Sequence, residues 1–128
     1  MREQPDRLGI AVIGSGRMGR LRAHLAAGNP LVDFLAVTDA DPDKAAAVAA
    51  DTSAVLHTDD NLAAIHHPNV NAVIVSTPEG EHTDAVCAAL EAGKSVLVEK
   101  PIALTLVDAD RIIEIWGRSS GSLFVGYT

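Results

Sequence analysis

The stretch from Leu8 to Gly19, LGIAVIGSGRMG, decides the fold. It opens with a short apolar run through Ile13, the pattern of a strand buried on both faces. Gly14, Gly16 and Gly19 follow in G-x-G-x-x-G spacing. Behind them Met18, Leu21 and Leu25 share one face of a predicted helix that stops at Gly28, Asn29 and Pro30. Strand, glycine turn and helix in that order begin a β-α-β unit.

The same alternation runs to the end of the chain. LVDFLAVTD (Leu31 to Asp39) is a second strand, and Asp41 with Pro42 supplies an N-cap and first-turn proline for a helix carrying Ala45, Val48 and Ala49. AVLH (Ala54 to His57) is a weak third strand, with Thr58 capping a short helix through Leu62 and Ile65 that ends at Pro68. NAVIVST (Asn71 to Thr77) is a clear fourth strand. Thr77 and Pro78 open the next helix, with Thr77 as its cap, and Gly93 closes it. SVLVE (Ser95 to Glu99), a helix from Thr105 to Trp116 and SLFVGY (Ser122 to Tyr127) complete the set. Strands spaced by helices in this way pair in parallel through right-handed crossovers. The fold class is therefore α/β, a doubly wound parallel six-stranded sheet in the order 3-2-1-4-5-6 with helices on both faces. A chain of 128 residues holds one such domain, 1–128.

Apolar residues make up 48% of the chain, but only four are aromatic, Phe34, Trp116, Phe124 and Tyr127. The core must therefore be built from Val, Ile, Leu and Ala. Ten basic residues against seventeen acidic give a net charge of -7, which opposes nucleic acid and anionic membranes alike. The single Cys87 forms no internal disulfide, and no apolar run approaches a membrane span or a signal peptide. A cytoplasmic location is expected.

Ligands of such sheets bind beyond the carboxyl ends of the strands. At the first exit Gly14 permits a tight turn, Gly16 lets the backbone approach a diphosphate, and Gly19 lets the helix press close; Ser15, Arg17 and Met18 fill the loop. The helix amides hold the diphosphate without a lysine, which reconciles an anionic ligand with an acidic protein. Asp39 lies twenty residues past Gly19, where a carboxylate accepts from both ribose hydroxyls of an adenosine and repels a 2′-phosphate. Neither neighbour, Thr38 nor Ala40, is an arginine, so NAD is favoured over NADP. The other reading of Asp39 is a solvated turn residue ahead of the Asp41 cap.

At the fourth exit Ser76 and Thr77 present hydroxyls beside Pro78. His82 shares the stripe of Val86, Ala89 and Gly93 and so points toward the sheet. It is placed either to hydrogen bond near a bound nicotinamide or to be a structural histidine satisfied by one polar contact. Cys87 reads as packing, His66 and His67 as a solvated helix end, and no metal site is evident. At the fifth exit Glu99, Lys100 and Pro101 follow a buried strand. The proline sets a rigid turn, with a cis bond one way to form it, and Lys100 stands where nicotinamide and a substrate carbon would meet, suited to hydrogen bond a substrate hydroxyl or share its proton. The alternative is a Glu99 and Lys100 pair that merely solvates the strand end, which alternating neighbours make geometrically poor.

GIAVIGSGRMGRLRAHLAA, TDADPDKAAAVAA, NVNAVIVSTPEGEHTDAVCAALEAGKSVLVEKP and the closing FVGYT resemble, in order and spacing, the amino-terminal half of the Gfo/Idh/MocA oxidoreductases. The resemblance covers nearly the whole chain. It implies a Rossmann domain, an NAD(P) cofactor, and a sugar, polyol or related cyclic alcohol as substrate. It also implies that Lys100 is catalytic or substrate-binding and that Ser76, Thr77, Pro78 and His82, with Glu99 and Pro101, line the site. The family continues into a second domain that covers the nicotinamide, supplies further proton-transfer groups and makes the oligomer. A chain ending at Thr128 lacks it, so the isolated chain is expected to bind the cofactor without efficient turnover, and its uncovered apolar surface is expected to drive self-association. Two alternatives remain: a stand-alone NAD-binding sensor or scaffold, and a Rossmann remnant that binds no cofactor.

Overall fold

The computed structural model describes residues 8–126. Six strands form one parallel sheet: β1 (Leu8–Ile13), β2 (Val32–Thr38), β3 (Leu56–Thr58), β4 (Ala72–Val75), β5 (Ser95–Glu99) and β6 (Leu123–Gly126). Their order is β3-β2-β1-β4-β5-β6, as the alternation predicts. Tyr127, expected at the end of β6, lies outside the described residues. Five helices alternate with the strands: α1 (Arg17–Ala27), α2 (Pro42–Thr52), α3 (Asn61–Ile65), α4 (His82–Glu91) and α5 (Leu106–Gly117).

The pleat of β1 divides the core in two. Ile10 and Val12 join Leu35 and Val37 under α1 and α2, against Ala23, Ala26 and Val48. Ala11 and Ile13 face the other layer, where Val73, Val75, Val96 and Val98 pack against Ile65, Val86, Leu90, Ile112 and Ile115. Strands covered on both faces have no polar side to show, which is why they read as continuous apolar runs. The register places Ile13 opposite both Thr38 and Val75, and Val75 opposite Val98. Gly14, Asp39, Ser76 and the Glu99–Lys100 pair therefore leave the sheet side by side.

Four local expectations are corrected. The buried face of α1 is Gly19, Ala23 and Ala26, while Leu21 and Leu25 are 47% and 60% exposed. A Cβ on Gly19 would overlap the carbonyl of Gly14, so the helix lies too close to the turn for large side chains on that face. The cap of α3 is Asp60, which accepts from Ala63 N at 3.1 Å; Thr58 instead accepts from Asp60 N at 3.0 Å, and Leu62 is exposed. Pro78 opens a 3₁₀ turn (Glu79–Glu81), and α4 begins only at His82 without a side-chain cap, so Thr77 caps no helix. His67 is more than a solvated end, because its ring stacks on Phe34 with centroids 4.5 Å apart.

Most other signals act as expected. Asp41 caps α2 by accepting from Asp43 N at 3.0 Å; Thr105, expected as the first residue of the fifth helix, is instead its cap, accepting from Asp108 N at 3.1 Å. Gly93, at φ 77°, ends α4 by returning its amide to Leu90 O, and the next amide, that of Lys94, returns to Ala89 O. Lys94 Nζ closes the far end of the sheet by donating to the carbonyls of His67 and Val70, and burial pushes its ammonium below the usual lysine range. Among the described residues no helix is long and apolar enough to cross a membrane.

Candidate functional site

Beyond the strand ends lies a groove of about 460 Å³. Of the residues singled out in the sequence, Gly14, Gly16, Met18, Asp39, Ser76, Thr77, Pro78, His82, Glu99 and Lys100 line it together. Ser15 is buried in the turn itself, Gly19 on the face of α1 that presses on it, Pro101 contributes its carbonyl to the frame, and Arg17 is exposed at the start of α1.

The first wall is the glycine turn. Gly14 adopts φ 101°, which L side chains rarely tolerate, and a Cβ there would lie 2.6 Å from Ser76 O. Gly14 N donates to Thr38 O at 3.1 Å, and Ser15 Oγ donates to the same carbonyl at 2.8 Å. Gly16 is the N-cap of α1 and makes no side-chain cap, so among the described residues no side chain meets the first-turn amides. A Cβ on Gly16 would meet nothing within 4 Å, which leaves open space in front of those amides.

Asp39 serves the turn as well as facing the groove. Its Oδ2 accepts from Ser15 N at 2.9 Å and its Oδ1 from Asp41 N at 2.9 Å. These contacts are those of a turn residue: the carboxylate is held by loop amides, and each oxygen keeps a lone pair.

At the fourth exit the hydroxyls of Ser76 and Thr77 are buried and, among the described residues, have no hydrogen-bond partner. Buried polar atoms of this kind carry a cost unless something meets them. His82, only 1% exposed, brackets two backbone segments: Nδ1 lies 2.7 Å from Pro101 O and Nε2 lies 3.0 Å from Thr77 O. Both partners are acceptors, so a neutral ring donates to one at a time and a doubly protonated ring to both. Either way its nitrogens join the turn after β4 to the turn after β5. This geometry supports the structural reading of His82.

At the fifth exit the Lys100–Pro101 peptide is cis. Lys100 is exposed and, among the described residues, makes no hydrogen bond or ion pair; the partial burial that its place at a strand end suggests is not found. Glu99, 8% exposed, turns away from it to Arg22 of α1, whose Nε and Nη2 donate to Oε2 and Oε1 at 2.6 and 3.2 Å. That hydrogen bond raises the Arg22 guanidinium above the usual arginine range, against the opposing pull of burial. Removing one partner of such a pair typically costs about 3–5 kcal/mol, because the other is left as an uncompensated buried charge.

Sequence reasoning missed Arg22, the Thr38 hydroxyl, Asn61, Lys44 and Asp59. Arg22 carried a usable signal: it lies three residues past Gly19, a charge beside the Gly/Ala face of α1. Thr38 Oγ1 donates to Asn61 Oδ1 at 2.6 Å, while Lys44, Asp59 and Asn61 line the groove beside Asp39. Cys87 is buried among apolar side chains, and burial pushes its thiol up. Among the described residues no group of three or more His, Cys, Asp or Glu could hold a metal ion.

A parallel sheet with a glycine turn at its first exit, open helix amides and a carboxylate at its second exit defines a dinucleotide-binding α/β domain. The chain belongs to the Gfo/Idh/MocA oxidoreductase family, described as an oxidoreductase family with an NAD-binding Rossmann fold, which residues 8–127 match. It is 32% identical over 121 residues to inositol 2-dehydrogenase of Rhizobium meliloti (strain 1021), covering 92% of this chain and 35% of that protein. GenD2 from gentamicin A biosynthesis, solved in complex with NAD, superposes with a TM-score of 0.88 at 30% identity over 98% of this chain and 36% of its own. The Lactobacillus casei myo-inositol dehydrogenase, solved with NAD(H) and myo-inositol, gives 0.86 at 31% identity over 94% and 36%. The chain thus spans about a third of the length of the relatives it matches.

Proposed function

We propose that this chain is the cofactor-binding part of an NAD-dependent oxidoreductase acting on the CH–OH group of a sugar, polyol or related cyclic alcohol, with Lys100 as its substrate-facing residue. The observation that carries this reading is the convergence on one groove of the α1 N-terminal amides, a fixed Asp39 and a Lys100 that has no partner among the described residues. The groove suits the cofactor: open space over Gly16 accommodates a diphosphate, and the unpartnered Ser76 and Thr77 hydroxyls await polar atoms. When bound, the nicotinamide supplies the acceptor or donor of a hydride.

The chain's own residues divide the remaining work. The α1 amides bind the diphosphate and Asp39 the adenosine ribose. His82 keeps the turns after β4 and β5 in register, with Met18, Pro78, Glu99 and Pro101 as the frame. Lys100, whose ammonium has no acceptor among the described residues, orients the substrate hydroxyl and shares its proton. NAD is favoured over NADP because the Asp39 carboxylate repels a 2′-phosphate, with Lys44 on the same groove as a partial counterweight. Groups that cover the substrate lie outside these residues, which span about a third of the length of the relatives they match. A reduced, buried Cys87 and a nicotinamide cofactor suit the cytoplasm.

Calorimetric titration with NAD tests the reading. Saturable binding is expected, and Lys100→Ala should leave it unchanged while lowering kcat roughly 10²- to 10⁴-fold in a protein that also carries the substrate domain. Absence of heat at millimolar NAD would leave a cofactor-free Rossmann remnant as the better description. Self-association is part of the proposal, since Leu106, Val107, Ile113, Trp116 and Phe124 are all exposed apolar side chains. Sedimentation showing only monomer at high concentration would remove that part.

A further inference from the structure

We propose that Arg22 is a positioning residue for this site: by holding the Glu99 carboxylate on the α1 side of the β5 terminus, it leaves the Lys100 amine free. The inference rests on the reading of Lys100 as the substrate-facing residue. Glu99 is the acid nearest to Lys100 in the chain; it is the last residue of β5, and Lys100 lies just past it in the turn, where strand alternation no longer holds the two side chains apart, and both line the groove. Arg22 engages both carboxylate oxygens, at 2.6 and 3.2 Å, in the fork geometry that a guanidinium matches. The pair is well enclosed, with side-chain exposures of 21% for Arg22 and 11% for Glu99.

The pair also has a seat. A Cβ on Gly126, at the exit of β6, would lie 3.0 Å from Arg22 Nη2 and 3.2 Å from Glu99 Oε1. The ion pair thus occupies the space over a glycine and joins α1, β5 and β6 directly behind Lys100. Were Arg22 absent, a largely buried carboxylate would need another cation, and Lys100 is adjacent, exposed and carried on a flexible stem. Glu99 would then occupy the amine that a substrate hydroxyl needs.

Competitive amine labelling of the folded, nucleotide-free chain, read peptide by peptide by mass spectrometry at one fixed pH, measures this directly. Only the neutral amine reacts, and a nearby carboxylate favours the charged form. Lys100 in Arg22→Met should therefore label about three- to tenfold more slowly than in the parent, with Lys44 as internal reference. Glu99→Gln added to Arg22→Met should restore the parental rate, an outcome that a merely structural role for Arg22 does not produce. Arg22→Gln removes the cation while keeping a polar donor of similar reach and should slow Lys100 in the same direction, again reversed by Glu99→Gln. It serves as the test if Arg22→Met does not fold. Unchanged Lys100 labelling in these variants, or slowing that Glu99→Gln does not reverse, overturns the proposal. Because the assay contains no nucleotide, its result is independent of whether NAD binds.

Discussion

Asp39→Ala is expected to weaken NAD binding on the order of 100-fold or more. Hydrogen bonds to a charged acceptor contribute about 1.5–3 kcal/mol each, and a carboxylate facing a ribose accepts two. The substitution also removes the acceptor for Ser15 N and Asp41 N, both at 2.9 Å, so the glycine turn loses a tether at the same time. Titration with NADP separates the two effects. Losing the carboxylate removes the repulsion of a 2′-phosphate and leaves Lys44 on the groove, so NADP affinity should fall much less than NAD affinity and the preference between them should collapse. Parallel losses for both nucleotides would mean that Asp39 acts only as a loop tether, and the assignment of ribose recognition would fail.

Much of this architecture is legible in the sequence because a parallel sheet hides nothing on either face. Each strand reads as an apolar run, the crossover rule orders the strands, and the exits then gather Gly14, Asp39, Ser76 and Lys100. What was not legible depends on distances across the fold. Hydrophobicity selects Leu21 and Leu25 for the buried face of α1, whereas the closeness of the helix to the glycine turn selects Gly19 and Ala23. Thr58 and Thr77 each stood where a cap would fit, but Asp60 took the first helix, and the second begins only at His82. Arg22 and Glu99 are 77 positions apart, and no local pattern announces that they meet. The Thr38–Asn61 bond has the same character over 23 positions. The helical stripe marks His82 as turned away from water, but only the structure shows that both its nitrogens face backbone carbonyls.

Gly16 and Gly19 lie in one motif, yet substitutions at them should fail for different reasons, and the contrast tests the site against the fold. Gly16 is in extended backbone, φ -77° and ψ -160°, with nothing within 4 Å of a built Cβ. Gly16→Val should therefore fold, losing at most about 1 kcal/mol from the weaker N-cap. Its side chain would fill the space before the α1 amides, and loss of charge-assisted bonds worth about 1.5–3 kcal/mol each should lower NAD affinity on the order of 100-fold. Gly19 presents the reverse case. By intrinsic propensity alone, alanine in a helix interior should stabilise by about 1 kcal/mol. Here its methyl would overlap the Gly14 carbonyl, a backbone atom that no rotamer change can move aside. Overpacking against fixed backbone costs roughly 3 kcal/mol or more, so sterics outweigh propensity and Tm should drop on the order of 10 °C. Thermal unfolding of the two variants beside NAD titration decides the matter. A Gly19→Ala protein more stable than the parent would show that α1 does not press on the turn, and a Gly16→Val protein that binds NAD normally would show that the diphosphate lies elsewhere.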